Sequence, residues 1–320
     1  MTGRDEGWAG IAWRDREDYD VVRRRLDQGA DPDGWGSTRP LHAAAAEGSP
    51  EVVAELARRV TDVDAPGHGT TALWEAVLAD RPDNARALVD AGADPWRPSI
   101  GGWSPGRLAL AGPVPDLFAV PEGEAGLSEA EQVAVREGRR LVEVLGRIDQ
   151  DGFSLACVAG IDAEEAMRRL GAGPANGEDV DEVLEAPYDF EVDEILHIVG
   201  VTTVPGGCVI SQPWGYGPQM PGVMTRLSTG TVCYGLYANP KSGNQGSIAR
   251  DGVLEAWDLH PGGAPGPDAT SEEVLVAYLF RYRAAAYACA WAGLRLPDAR
   301  AVLGPPDVWA ELPRPGYWHD

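Results

Sequence analysis

Lysine is nearly missing from this chain: Lys241 is the single one, and 27 lysines and arginines stand against 50 acidic residues, a net charge of -23. A surface so poor in positive charge repels phosphate backbones and anionic lipid, which sets aside nucleic acid and membranes as partners and leaves basic proteins. Cysteine is scarce and scattered. Cys157, Cys208, Cys233 and Cys289 form no Cys-x-x-Cys pair, so buried reduced thiols are expected rather than a metal knuckle or a redox pair. The five histidines, His42, His68, His197, His260 and His319, show neither i, i+4 nor His-x-Glu spacing, so no local metal site and no cofactor is expected. No stretch reaches the roughly 18 apolar residues of a membrane span. Met1-Thr2-Gly3-Arg4-Asp5-Glu6 lacks the basic and apolar runs of a secretory signal, which predicts a cytoplasmic location.

What is present is an internal repeat. Asp27-Gln28-Gly29-Ala30-Asp31-Pro32 returns as Asp90-Ala91-Gly92-Ala93-Asp94-Pro95, and Val60-Thr61-Asp62-Val63-Asp64 lies midway as a degenerate copy. Asp31, Asp62 and Asp94 are 31 and 32 residues apart, the period of a helical solenoid. Val22 with Leu26, Val53 with Leu56, and Ala85 with Leu88 give each unit one apolar stripe that only a stacked neighbour covers. Pro40 suits a first helical position, and Gly29 and Gly92 suit the left-handed residue that ends a helix.

Arg39-Pro40-Leu41-His42-x-Ala, followed by Pro50 to Leu56, resembles the start of an ankyrin repeat, and Gly29-Ala30-Asp31 resembles its end. The resemblance covers about residues 8 to 118, with terminal units degenerate: the fourth, from Ser104-Pro105, stops at Gly112-Pro113. It implies a stack of helix pairs that holds a protein partner through projecting loops, and a structural His42 that keeps adjacent units in register.

The proline- and glycine-rich stretch from Gly112 to Gly126 marks a boundary, so three regions are expected: an array over 1–118, a connector and linking helix over 119–150, and an α+β domain over 151–320. Ser128 with Glu131 predicts a capped helix to about Arg147, with Val133, Leu141, Leu145 and Ile148 on its inner side. Strands are expected at Phe153–Val158, Ile195–Val204, Cys208–Gln212, Val232–Ala238, Ser247–Arg250 and Val253–Leu259, the last two joined by the hairpin signal Asp251-Gly252. Short helices are expected after Asp162 and near Val223–Leu227, and a long one from Thr270 to Trp291. The fold class that results is multidomain, a helical solenoid followed by an α+β domain with a mainly antiparallel sheet. Through Cys157-Val158-Ala159-Gly160-Ile161-Asp162 to Arg169-Leu170-Gly171, and the stretch Gly207 to Trp257, this half also resembles an actinobacterial domain family of unknown function.

Catalytic signals are weak. Gly102-Trp103-Ser104-Pro105-Gly106 matches the nucleophile-elbow pattern, yet Pro105 has no N–H to offer an oxyanion, and Ser-Pro is what opening a helix requires. Cys208 and Cys233 lie in apolar strand-like runs without a basic neighbour. The acidic run from Glu178 to Glu194 predicts a solvated face, with capture of a basic protein as its functional alternative. The loops that end the repeats are more informative, because tryptophan and arginine dominate binding hot spots. Trp35, Arg39, His68, Trp96, Arg97 and Trp103 are the candidate partner contacts. The reading is a non-catalytic module for a protein partner, a basic one, with an immunity-type inhibitor of a basic toxin as its sharper form. The alternative is an enzyme or small-molecule binder in the C-terminal domain, with Trp214, Tyr216, Tyr237, Asn239 and Lys241 lining a pocket.

Overall fold

A computed structural model describes residues 7–8, 17–34, 39–148, 152–190, 195–239, 241–313 and 317. The chain divides into two compact units, residues 1–135 with 264–279, and residues 136–263 with 280–320.

The first unit is built from short helices with marked starts. They are α1 (Tyr19–Asp27), α2 (Pro40–Glu47), α3 (Pro50–Ala57), α4 (Ala72–Leu78), α5 (Pro82–Asp90) and α6 (Pro105–Ala111). Asp18, Ser49, Thr71 and Ser104 each accept a backbone N–H of the first turn, and prolines open α2, α3, α5 and α6, where a missing N–H costs nothing. Ser104, the residue of the elbow-like motif, is therefore a helix cap. Gly29 and Gly92 take φ of +94° and +100°, as the helix-ending positions require. Val22, Leu26, Val53, Leu56, Ala85 and Leu88 all lie in one continuous core with Leu73, Trp74 and Leu108, so the stripes do cover one another.

Two buried side chains set the register of this stack. Nε2 of His42 donates to the carbonyl of Thr70 in the next unit (3.0 Å), and burial lowers the pKa of the ring. Asn84 spends its amide on the carbonyls of Ala44, Ala45 and Gly48 (3.3, 3.0 and 3.0 Å), closing the α2–α3 corner of the preceding unit.

Next comes α7 (Glu129–Leu145), opened by the expected box: Ser128 N donates to Glu131 (2.8 Å) and Glu131 N to the Ser128 hydroxyl (3.3 Å). Its inner face differs from expectation at one place. Val133 is 44% exposed and Val135 is buried instead, because the buried positions run 135, 138, 141 and 145 along the helix.

The second unit is an eight-stranded antiparallel sheet with helices. Its elements are β1 (Ser154–Ala159), α8 (Ala163–Leu170), β2 (Gly173–Pro174), α9 (Gly177–Glu185), β3 (Ile198–Val204), β4 (Gly207–Gln212), α10 (Pro221–Leu227), β5 (Val232–Asn239), β6 (Gly243–Arg250) and β7 (Val253–Asp258). The sheet order is β2-β8-β3-β4-β1-β5-β6-β7, with β8 (Val308–Glu311) supplied by the end of the chain. Asp251 and Gly252 both have positive φ (49° and 79°), the turn that the Asp-Gly pair predicts between β6 and β7. β3 starts three residues later than expected. The buried Gln212 side chain donates to the carbonyls of Ile195, Leu196 and Ile198 (3.1, 3.1 and 2.8 Å), so the first of these residues need no ladder partner.

Part of the acidic run is not a bare solvated face. It folds as α9, whose Val180 and Val183 are buried with Ile195 and Ile198 while its carboxylates and Leu184 lie outside. Glu191, Asp193 and Glu194, at its end, lie outside the described residues.

After β7 the chain re-enters the first unit as α11 (Ser271–Leu279), and then forms α12 (Ala284–Trp291) and α13 (Arg300–Leu303) in the second. The long helix expected over Thr270–Trp291 is thus two. Its capped start stands, with Thr270 and Glu273 exchanging hydrogen bonds of 2.7 to 3.3 Å, but the first piece stops at Leu279, and Tyr282 in the turn that follows takes a φ of +59°, which a continuous helix excludes. Residues 264–279, placed by sequence with the C-terminal domain, pack in the first unit because Val274, Leu275 and Tyr278 belong to its core.

Candidate partner-binding surface

The loops between helix pairs are shaped by aspartates at the repeat positions. Asp31 accepts from the N–H of Asp33 (3.0 Å), Asp62 from that of Asp64 (2.9 Å), and Asp94 from that of Trp96 (2.9 Å), so each loop turns the same way. The second aspartate of each phrase then reaches the next loop. Asp33 accepts from the Thr61 N–H (3.0 Å) and hydroxyl (2.7 Å), and Asp64 accepts from the Asp94 N–H (3.1 Å). Burial raises the pKa of the Asp64 carboxyl, with the Asp94 N–H opposing it. Successive loops are thereby tied into one row of fingers. Sequence reading missed this ladder, although the doublets Asp31-x-Asp33 and Asp62-x-Asp64 carried its signal.

On that row sit four of the six candidate contacts. Arg39 precedes α2 as its N-cap residue and lies 3.9 Å from the Asp33 carboxylate. His68 is exposed at the tip of a small hairpin closed by Gly67 and Thr70, with φ of +53°. Trp96 occupies the place that Asp33 and Asp64 hold in earlier loops; it is half-buried because its indole lies over Gly106, where a Cβ would come within 2.9 Å of the ring. Arg97 is exposed and donates through Nη1 of its guanidinium to the carbonyl of Asp64 (3.2 Å), which anchors the head group and leaves four of its five N–H donors for other partners.

Trp103 must be removed from the set. It is fully buried, donates through Nε1 to the carbonyl and hydroxyl of Ser271 (2.9 and 2.8 Å), and carries the Arg107 guanidinium 4.2 Å above its ring. Its hydrogen-bonding capacity is spent within the core, so no partner reaches it. Trp35 lies outside the described residues.

In the second unit the expected pocket residues do not converge. Tyr216 and Tyr237 meet edge to face at 5.8 Å, whereas Trp214 stacks on Trp309 at 5.7 Å and donates to Ile195. Asn239 accepts from the N–H groups of Lys241 and Ser242 (2.8 and 3.3 Å), so Lys241 belongs to an exposed strand-connecting turn. The four cysteines are buried and unbridged; burial pushes the Cys208 thiol up to about 12 and raises Cys233 further, the opposite of activation for nucleophilic attack. Among the described residues no group of three or more His, Cys, Asp or Glu could hold a metal ion, and no helix is long and apolar enough to cross a membrane.

The paired helices, the buried histidine that bridges units, and the loops at the repeat period together decide the family of this segment. Residues 10–99 match the model of ankyrin repeats (3 copies). None of the curated proteins compared matches the chain. The N-terminal part is therefore a set of ankyrin helical repeats, followed by a region with an antiparallel eight-stranded sheet and helices. Ankyrin repeats are in general protein-interaction modules, and the matched span includes all four finger residues retained above, Arg39, His68, Trp96 and Arg97.

Proposed function

We propose that this protein is a non-catalytic binder that grips a basic protein partner with its ankyrin fingers, through Arg39, His68, Trp96 and Arg97. The carrying observation is the Trp96-Arg97 finger: an indole half-covered by Gly106 and an arginine anchored through one guanidinium nitrogen, both presented on a row already stiffened by the Asp33 and Asp64 bridges. Holding these side chains in place before contact lowers the entropy that binding must overcome. The charge of -23 favours a basic partner and speeds its approach at low salt. Neutralising a basic toxin is the biological form that suits such chemistry, because an inhibitor needs surface complementarity and no reactive group.

A photo-crosslinking residue placed at Arg97 tests the surface directly, with a second at Arg86, an exposed position on α5, as comparison. Adducts to one basic protein from position 97 and none from position 86 are expected. Adducts from position 86 alone would move the contact surface off the fingers.

A further inference from the structure

The last finger is held by a segment that joins it from 168 residues further along the chain. The finger runs from Asp94 to Trp103, closed by Ser99 N donating to the Trp103 carbonyl (2.6 Å) and Trp103 N to that of Ile100 (3.0 Å). Its base, residues 100–103, is where α11 sits. The Trp103 indole donates to Ser271, the first residue of α11. Gly101, at φ of +59°, lies so close that a Cβ there would meet the Ala269 carbonyl and Val274 Cγ2 at 3.0 Å. Val274 is fully buried in the array core. At the other end of α11, Tyr278 donates to Asp80 (3.2 Å), and its hydroxyl fills the space that a side chain at Gly112 would need.

The fourth repeat explains why such a helix is required. Helix α6 lacks the immediately following pair helix of the earlier repeats: the chain runs without a helix from Gly112 to Ser128. The buried Trp103, Leu108 and Ala111 at this end share one core with Val274, Leu275 and Tyr278 of α11 and with Val135 of α7. The segment before it, Pro261-Gly262-Gly263-Ala264-Pro265-Gly266-Pro267, has the composition of a linker, and the turn after Leu279 carries Tyr282 in a left-handed conformation. A nine-residue helix between such ends is marginal alone and depends on its docking contacts.

We propose that α11 is a splint for the Trp96-bearing finger: the order of that finger is set by whether the helix is docked, so undocking it is a built-in way to weaken the contact surface. This regulation rests on the fingers being that surface, but the splint itself is testable with no partner present. The test uses amide hydrogen exchange on the full chain in three variants, Gly112→Ala, Tyr278→Phe and Gly112→Ala/Tyr278→Phe. Gly112 is outside the finger, and its new methyl runs into the Tyr278 hydroxyl. Overpacking of this kind predicts exchange faster by roughly ten- to a hundredfold at the α11 amides. The splint predicts the same acceleration at the amides of Ser99 and Trp103, with Val53 in α3 unchanged. Removing the hydroxyl leaves the Tyr278 ring carbon 3.3 Å from the new methyl, so the double variant exchanges more slowly than Gly112→Ala alone. Tyr278→Phe by itself, losing one hydrogen bond, shows about a fivefold increase. Wild-type rates at Ser99 and Trp103 in Gly112→Ala, whatever happens in α11, would overturn the proposal. So would a double variant no slower than Gly112→Ala, or acceleration that includes Val53 equally.

Discussion

The ankyrin array and the sheet unit solve the same burial problem from opposite kinds of sequence information. In the array, register comes from single polar side chains that reach from one unit to the next: His42 reaches Thr70, and the aspartates Asp33 and Asp64, 31 residues apart, reach Thr61 and Asp94. In the sheet, register comes from long ladders between distant segments, with β1 at the centre pairing β4 on one side and β5 on the other, and β8 joining from the end of the chain. The contrast teaches that a repeat carries its own address while a ladder does not. The array exposes loops whose shape is fixed by its stacking, whereas the sheet unit gathers aromatic groups in its interior, as Tyr234 does among Tyr287, Trp291 and Asp258.

Trp74→Ala tests this comparison most severely. The indole is fully buried in the array core, so its loss should cost about 3 to 5 kcal/mol. Calorimetry is expected to show the array transition falling while that of the sheet unit stays; a single transition moving as a whole would mean that the two do not melt separately. Asn84→Ala removes three interactions with buried carbonyls and should lower the array by about 2 kcal/mol in urea. Tyr234→Phe probes the other side. It deletes the 2.7 Å bond to Asp258 and should cost the sheet unit about 1 kcal/mol without touching the array.

Acid sharpens the comparison further, with a smaller effect. The folded pKa of His42 lies below its ordinary value because of burial, so the unfolded chain takes up a proton first as pH falls below about 6.5. The contribution of His42 is complete above that pH and declines as pH drops toward the folded value. Array melting should therefore fall between pH 7 and 5, and His42→Gln should flatten that fall. Glu55, Glu131 and Glu273, whose pKa values are lowered in the array, act only below their ordinary value near 4.5, outside this window.

Much of this arrangement was legible in the residues themselves. Caps are local chemistry, so Ser128 with Glu131, Asp162 before α8 and Thr270 with Glu273 all mark helix starts where the structure has them. Asp251-Gly252 names its own turn, and the repeat period gives the fingers. What stayed hidden depends on contacts between distant segments. Nothing near Trp103 shows that Ser271 accepts from it, and nothing near Tyr282 interrupts the helical pattern of 271–291. The short strands β2 and β8 have too few residues to show a period. In the finger row, tryptophan and arginine were visible as candidates, while the aspartates that support them read only as repeat markers.

Affinity capture with the full chain tests the central claim most directly, comparing wild type with Trp96→Ala/Arg97→Ala. Both side chains lie at the surface or half-buried at a loop, so the variant should keep the wild-type melting profile to within about 1 kcal/mol. The account predicts that wild type retains a basic protein, that its retention weakens as salt rises, and that the variant loses it. Equal recovery of the same protein by both chains would contradict the claim that the ankyrin fingers are the binding surface.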